Sequence, residues 1–437
     1  KNKFWEYNKS HTKNMNFIEE LKWRGMLQDS TPGVEDLFKE GPVTGYIGFD
    51  PTAASLTIGN FVQVMLLSFF QRTGNKPIVL MGGATGLIGD PSFKDNERVL
   101  KTAEEVQINI DKQMLQFRKL LNFDGPNGAV FVNNYDFYKE MNVLTFLRDV
   151  GKTLTVNYMA SKESVKKRME TGISFTEFSY QLLQGYDYQV LYDKYGCKIQ
   201  MGGSDQWGNI TAGTEFIRRN VGGKAYAATT PLLTKADGQK FGKSETGNIW
   251  LDPEMTNAYQ FYQFWLNSND ADVPKLLRYF SYKTKEEIEA LDQLLQTDPN
   301  EAKRTLAEEL TARVHSAEDM DSVKKVSSLL FGKGFDETAV KSLDISTINL
   351  LKGELQVVQL PMEKWNSGSL IVDILTEDAK IFASKGDAKR AIQGNALQIN
   401  RVRISELSSV TSSDQIFANK YVFVENGKKQ KVLVELI

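Results

Sequence analysis

Between Val43 and about Leu233 two hydropathy patterns alternate along the chain. A short alternating pattern at Val43 to Phe49 reads as a strand, Pro77 to Met81, Ala129 to Val132 and Lys198 to Met201 read as buried strands, and the amphipathic stretches between them read as helices. Strands alternating with helices predict an α/β fold: a doubly wound parallel, Rossmann-like sheet with ligands at the carboxyl ends of its strands. From about Thr256 to Leu330 the pattern is helical and charged. Phe331 to Ser367 has mixed polarity and few periodic runs, which reads as a linker. Gly368 to Ile437 predicts a small α+β unit, helical to about Gln393, with a hairpin over Leu397 to Arg403 and terminal strands flanking Asn426-Gly427.

Composition narrows the chemistry. The 437 residues, 41% of them hydrophobic, suffice for two or three domains, and no apolar run approaches the ~20 residues of a membrane span. Residues 1–14 are polar and mildly basic and are expected to be an extension, not a secretory signal. A single cysteine, Cys197, leaves no disulfide or thiolate zinc site to expect, and the two histidines, His11 and His315, stand outside every motif. Imidazole catalysis and a protein-bound metal are therefore not expected. With a formal net charge of -2, any nucleic-acid contact has to come from local patches. A cytoplasmic location without a membrane segment is the expectation.

Five stretches carry candidate chemistry. Tyr46 to Asn60 joins the first strand to a helix through Gly48-Phe49-Asp50-Pro51-Thr52 and the tetrad Thr57-Ile58-Gly59-Asn60, a connection suited to a ligand at the helix N-terminus. Met81 to Ser92 is a glycine-rich run that follows a strand at once and ends at Asp90-Pro91-Ser92. Tyr180, Gln184 and Asp187, at i, i+4 and i+7, share one face of an otherwise apolar helix, and on spacing alone that stripe serves either solvent or a pocket. Gln200 to Asn209 ends a strand and opens a helix, with Ser204 or Asp205 as a possible N-cap. Lys240-Phe241-Gly242-Lys243-Ser244 invites a phosphate-loop reading, but the first glycine of that pattern falls on Asp237 and no helix pattern follows. It reads instead as a mobile loop with two cations.

Together and in this order, these stretches resemble the bacterial-type tyrosyl-tRNA synthetases, a class I family. There the tetrad is normally His-Ile-Gly-His, so Thr57 and Asn60 replace both histidines; the loop corresponds to the Lys-Met-Ser-Lys-Ser signature, often Lys-Phe-Gly-Lys-Ser/Thr in this family. The resemblance implies that Tyr46 and Asp187 hold the phenolic hydroxyl of L-tyrosine, Tyr180, Gln184 and Asp90 its amino end, and Gln206 its carboxylate. Gly48, Asp50, Thr52, Gly59, Asn60, Gly203, Asp205, Lys243 and Ser244 are implied on ATP, which enters with Mg2+ as the substrate complex. Thr52, Thr57, Asn60, Lys94, Arg98, Lys240 and Lys243 are implied to stabilise charge as tyrosyl-adenylate and pyrophosphate form.

The divisions expected on this basis are the extension 1–14, a catalytic domain 15–235, the mobile loop with its linker 236–255, a helical anticodon-binding domain 256–335, a linker 336–367 and an RNA-binding module 368–437. That last module resembles one shared with a ribosomal protein of the S-four type, with Lys385, Lys389, Arg390, Lys428 and Lys429 as implied RNA contacts. Val424 and Glu425 stand where some relatives carry arginines. The resemblance also implies tRNA(Tyr) as partner and a homodimer, for which Val143 to Leu147 is a candidate surface. Two other readings compete: a tryptophanyl relative of the same fold, and a synthetase-derived RNA-binding or splicing scaffold with an impaired site.

Overall fold

A computed structural model of the chain describes residues 15–92, 99–239, 241–244, 247–332, 335–428 and 430–437. The chain divides into two compact units. The first runs to Thr256 and takes in Gln263–Val314, and the second comprises Asn257–Tyr262 and His315–Ile437.

The first unit opens with helix α1 (Phe17–Arg24) and is built on a sheet of β1 (Asp29–Ser30), β2 (Thr44–Phe49), β3 (Lys76–Met81), β4 (Val130–Asn133), β5 (Cys197–Gly203) and β6 (Tyr226–Thr230). Strand order is β1-β6-β5-β2-β3-β4; all pairings are parallel except that of the short edge strand β1. From β2 the chain winds outward to β3 and β4, then returns to the other side of β2 for β5 and β6. The winding direction therefore reverses between β2 and β5, and in such sheets a crevice opens at the carboxyl ends of that strand pair.

The crossovers bring the helices that matter: α2 (Ile58–Arg72), α3 (Ala103–Leu120), α4 (Phe175–Tyr195) and α5 (Trp207–Val221). Each begins where local chemistry permits. Thr57, Thr102 and Ser174 accept backbone N–H groups at the starts of α2, α3 and α4, and Gly196 ends α4 in the left-handed region that glycine adopts without strain. Tyr46, Ile78, Leu80, Val132, Tyr188, Leu191, Cys197 and Ile217 form one buried cluster from β2, β3, β4, α4, β5 and α5. The apolar strand pattern is thus explained by burial on both faces of the sheet.

Three further helices, α6 (Val273–Phe280), α7 (Lys285–Leu294) and α8 (Pro299–Val314), belong to this same unit. The expected boundary at residue 256 is corrected accordingly. Phe280 of α6 stacks on Phe61 of α2 with ring centroids 5.3 Å apart, and the Arg24 guanidinium of α1 donates to the carbonyls of Arg278 and Ser281.

In the second unit, α9 (Ala317–Phe331) and α10 (Ile345–Glu354) precede β9 (Gln356–Leu360), then α11 (Lys385–Gln393), β10 (Leu397–Ile399), β11 (Val402–Arg403), β12 (Tyr421–Asn426) and β13 (Gln430–Leu436). The strands form a sheet in the order β11-β10-β12-β13-β9, with the expected hairpins at Leu397 to Arg403 and around Asn426-Gly427. The expected linker 336–367 is corrected: it holds α10, β9 and the buried Trp365. β9 pairs in parallel with β13, a partner far along the chain, so its five residues carry little pattern of their own.

Candidate functional site

A cavity of about 340 Å³ opens where the fold's winding reverses, lined by residues from the carboxyl ends of β2, β3 and β5 and from α2 and α4. Of the site residues expected from sequence, it gathers Tyr46, Gly48, Asp50, Thr52, Gly59, Asn60, Asp90, Tyr180, Gln184, Asp187, Gly203, Asp205 and Gln206. The i, i+4, i+7 stripe of α4 therefore faces the pocket, not solvent. Gln63, Gly82, Thr85, Asn134 and Gln200 also line it, and sequence reasoning did not pick them as site residues.

Those additional residues link the expected ones. The Asn134 amide donates to Asp187 Oδ2 at 2.9 Å and to Thr85 Oγ1 at 3.1 Å; the Thr85 hydroxyl donates to Asp50 Oδ1 at 2.7 Å, and the Tyr180 hydroxyl to Asp50 Oδ2 at 2.8 Å. One continuous hydrogen-bonded chain thus runs from Asp187 to Tyr180. Gly82 is required for its middle: a Cβ there would lie 2.2 Å from Asp50 Oδ1 and 2.5 Å from Thr85 Oγ1. Thr85 lies within the glycine-rich run, and Asn134 directly follows β4 in the chain. The rule that ligands gather at strand carboxyl ends was the one signal that could have found Asn134.

A second cluster orients Asp90. Its Oδ2 accepts from the Gln206 amide at 2.7 Å, and its Oδ1 accepts from the Ser92 backbone N–H at 2.9 Å and, more weakly, from Asn209 at 3.4 Å. Gln206, expected to face a carboxylate, is here bonded to Asp90.

Electrostatically the cavity holds a shifted carboxyl, Asp187, and two shifted phenols, Tyr46 and Tyr180, burial being the first cause for each. Burial pushes Asp187 up to about 7, against the bonds from Tyr138 and Asn134 that favour its charged form and with Asp50 raising it further. Burial, with Asp187 second, raises Tyr46 well above the ordinary phenol range. The Tyr46 hydroxyl is buried and has no hydrogen-bond partner among the described residues, and neither do Gln63 Oε1 and Gln200 Oε1. Buried groups left in this state cost free energy, so a ligand that supplies the missing partners is favoured.

The tetrad takes a form that the two histidines would not give. Thr57 N–H and Thr57 Oγ1 both donate to Asn60 Oδ1, at 3.0 and 2.9 Å, while the Asn60 N–H reaches Thr57 Oγ1 at 3.4 Å. This reciprocal capping box fixes the first turn of α2. Asn60 and Gly59 line the cavity. Thr57, expected to act on ATP, does not; its hydroxyl is committed to the cap.

The loop signature comes to the same place. Phe241 packs on Phe264 and Trp265, ring centroids 5.4 and 5.7 Å away, and stacks on Phe280. A Cβ on Gly242 would lie 3.4 Å from the Gly59 nitrogen, and the Ile249 carbonyl accepts from the Ile58 N–H at 3.1 Å. β7 (Lys243–Ser244) then pairs with β8 (Gly247–Asn248). The two signatures therefore meet at the N-terminus of α2. Lys94, Arg98, Lys240 and Lys429 lie outside the described residues, and of Lys243 and Ser244 only the backbone is described.

In the second unit, Lys385 donates to Asp373 at 2.6 Å and Glu377 at 2.8 Å, and Arg390 pairs with Asp387. Two of the cations expected to meet RNA are thus partly neutralised within the unit. Lys389 and Lys428 are exposed.

The chain matches the model of the class I tRNA synthetases for W and Y over residues 39–332, and that of the tyrosine–tRNA ligase C-terminal domain over 354–434. It is 49% identical to a tyrosine–tRNA ligase of Cytophaga hutchinsonii over 96% of this chain and 99% of that protein, and 48% identical to one from Bacteroides fragilis with the same coverage. Among solved structures, it resembles a C-terminally truncated mitochondrial tyrosyl-tRNA synthetase of Aspergillus nidulans, with a TM-score of 0.66 and 28% identity over 75% of this chain and 99% of that one. A tryptophanyl-tRNA synthetase of Plasmodium falciparum, at 12% identity and a TM-score of 0.51, shares the fold alone.

Proposed function

Because the chain belongs to the tyrosyl-tRNA synthetases of class I, we propose that its cavity binds L-tyrosine with the phenol directed at Tyr46 and Asp187. The reaction of the family is activation of L-tyrosine by ATP to tyrosyl-adenylate, then transfer of the tyrosyl group to the 3′ end of tRNA(Tyr). The observation that carries the assignment is the buried Tyr46 hydroxyl, which has no partner among the described residues, on a cavity that the buried Asp187 carboxyl, pushed up to about 7, also lines. A phenolic hydroxyl supplies that partner, accepting from Tyr46 while donating to Asp187. Phenylalanine leaves the Tyr46 hydroxyl unmet and offers Asp187 no donor, and that asymmetry is the source of selectivity; the ~10⁵ known for tyrosine over phenylalanine was measured in this same enzyme family.

Tyrosine's amino end then meets the polar groups of Tyr180, Gln184 and Asp90, and its carboxylate lies towards Gln206. ATP occupies the side of the cavity formed by Gly48, Asp50, Thr52, Gly59, Asn60, Gly203 and Asp205, with Mg2+ entering on the nucleotide. The nucleophile is already an anion, so the first step needs no side-chain base and rests on positioning and charge stabilisation. Lys94, Arg98, Lys240, Lys243 and Ser244 are assigned to the leaving pyrophosphate from their place in the sequence. Contact of the loop with the start of α2 supports bringing its cations to that end of the site.

A homodimer in the cytoplasm is part of the same reading. Val143, Leu144 and Leu147 expose 67%, 75% and 48% of their surface, an apolar patch suited to a second copy. Residues 256–335 and 368–437 are assigned to the tRNA, with Lys389 and Lys428 as contacts.

Amino-acid-dependent ATP–pyrophosphate exchange tests the assignment. Tyrosine should support exchange, and phenylalanine and tryptophan should not. Exchange with tryptophan would favour the tryptophanyl reading, and none with any amino acid the scaffold reading.

A further inference from the structure

Tyr138 ends the short helix Tyr135–Tyr138 that follows β4 and is not among the residues lining the cavity. Its hydroxyl nevertheless reaches two acceptors on α4, Asp187 Oδ1 at 2.7 Å and the Leu183 carbonyl at 2.8 Å. Leu183 and Asp187 are i and i+4, so both acceptors present themselves on one face of the helix. A phenol carries one proton and can satisfy only one of them at a time.

That shortage makes the bond responsive to Asp187. When Asp187 is ionised, the Tyr138 proton points to it. When Asp187 carries a proton, the carboxyl donates to the phenolic oxygen and the Tyr138 proton turns to the Leu183 carbonyl. Neither state leaves Tyr138 unpaired, but the bond to the carboxylate is charge-assisted and the stronger of the two arrangements. Tyr138 is itself buried and stays a neutral donor: burial, with Asp187 second, raises it well above the ordinary phenol range.

Among the described residues, the other groups that face Asp187 do not supply a cation. Asn134 donates to its second oxygen, Asp50 is a like charge, and Tyr46, Tyr180 and Tyr186 are phenols. The ionised form therefore depends on two neutral donors, of which Tyr138 makes the shorter bond.

We propose that Tyr138 is a positioning residue for phenol recognition, holding Asp187 as an ionised acceptor aimed into the cavity and so setting both tyrosine affinity and discrimination against phenylalanine. The proposal rests on the assignment of Asp187 to the substrate hydroxyl.

Tyr138→Phe in the full chain tests it, since only one buried oxygen is lost. Pyrophosphate exchange is followed across pH 5.5 to 9 with tyrosine and with phenylalanine, and Asp187→Asn runs in parallel. Loss of a donor to the charged form should move the acid limb of kcat/KM for tyrosine upward by about one pH unit. KM for tyrosine at pH 7 should rise several-fold with kcat nearly unchanged, and the tyrosine-to-phenylalanine ratio should fall. An unchanged KM for ATP reports that the fold is intact. A uniform loss at every pH, or no change in either the limb or the ratio, overturns the proposal while leaving Asp187's role standing if Asp187→Asn loses tyrosine selectivity. If Asp187→Asn keeps that selectivity, the underlying assignment fails and the proposal with it.

Discussion

At the scale of the residue, Asp187 couples recognition to pH. A carboxyl raised from its ordinary 3.8 to about 7 favours the folded state most when protonated. Its contribution is complete below the unfolded value and is lost as pH rises through about 7. The same ionisation that costs stability creates the acceptor a phenol requires, so affinity for tyrosine should fall as pH drops below about 7. Asp187→Asn separates the two effects. The amide removes a buried charge at pH 8 and should raise the melting temperature there, by up to roughly 4 kcal/mol of stability given the size of the shift. At pH 4, where both forms are neutral, the gain should vanish, while tyrosine-dependent exchange is lost at both. Thermal melts at the two pH values check the sign. A variant less stable than the parent at pH 8 would show that the bonds from Tyr138 and Asn134 outweigh the cost of burial.

Among elements, the start of α2 is where the altered tetrad finds its reason. With both histidines absent, Thr57 and Asn60 close a capping box, and the helix end that bears Gly59 and Asn60 on the cavity is held by side chains of the tetrad itself. Thr57→Ala and Asn60→Ala should each cost about 1 kcal/mol. Because each side chain serves the other, the double variant should lose less than the sum, by at least ~0.5 kcal/mol in a denaturation cycle. Strict additivity would mean that the box forms no unit. A second element end, that of α9, is held more unusually. Asn400 and Arg401 make the two-residue turn between β10 and β11 with φ of 49° and 68°, which suits asparagine but not arginine. Arg401 tolerates it while donating to the Leu329 carbonyl near the end of α9 and pairing with the buried Glu425 at 3.2 Å; Lys431 donates to the Leu330 carbonyl beside it. Cations belong at a helix C-terminus, so strain in the turn is offset at the helix. Arg401→Gly relaxes the turn yet should lower stability by roughly 2 kcal/mol net, since Glu425 is left buried with weaker compensation. If the variant melts higher, turn strain outweighs the contact. Glu425 is thus the counter-charge of this arrangement.

For the molecule as a whole, what the sequence disclosed follows the range of the interaction. Strands β3 and β4 were legible because burial writes an apolar run into each, β2 and β5 because apolar residues recur at alternate positions (Val43, Ile47 and Phe49; Cys197, Ile199 and Met201), and the α4 stripe was legible because helical spacing puts Tyr180, Gln184 and Asp187 on one face. Asn134 and Tyr138 were not, because a single polar residue after a strand carries no period, and their roles exist only once α4 lies across from β4. β9 was hidden for the same reason at larger range: Val357 pairs with Leu433, and nothing local foretells that partner. This pairing decides where the chain can be divided. The apolar cluster of the C-terminal sheet includes Leu360 and Trp365 together with Val422, Val432 and Leu436, so a cut after Ser367 leaves β9 unpaired and a buried tryptophan exposed. A cut after Gly353 removes the whole sheet with β9 and spares the cavity, every lining residue of which lies in the first unit. The shorter chain should therefore keep tyrosine-dependent pyrophosphate exchange within about three-fold of the parent and lose charging of tRNA(Tyr), whereas the chain ending at Ser367 should aggregate or melt lower despite being longer. Size-exclusion chromatography and thermal melting of the two truncations measure this directly. Equal behaviour of both would mean that β9 holds its place without β13, and charging by the shorter chain would remove the C-terminal sheet from tRNA recognition.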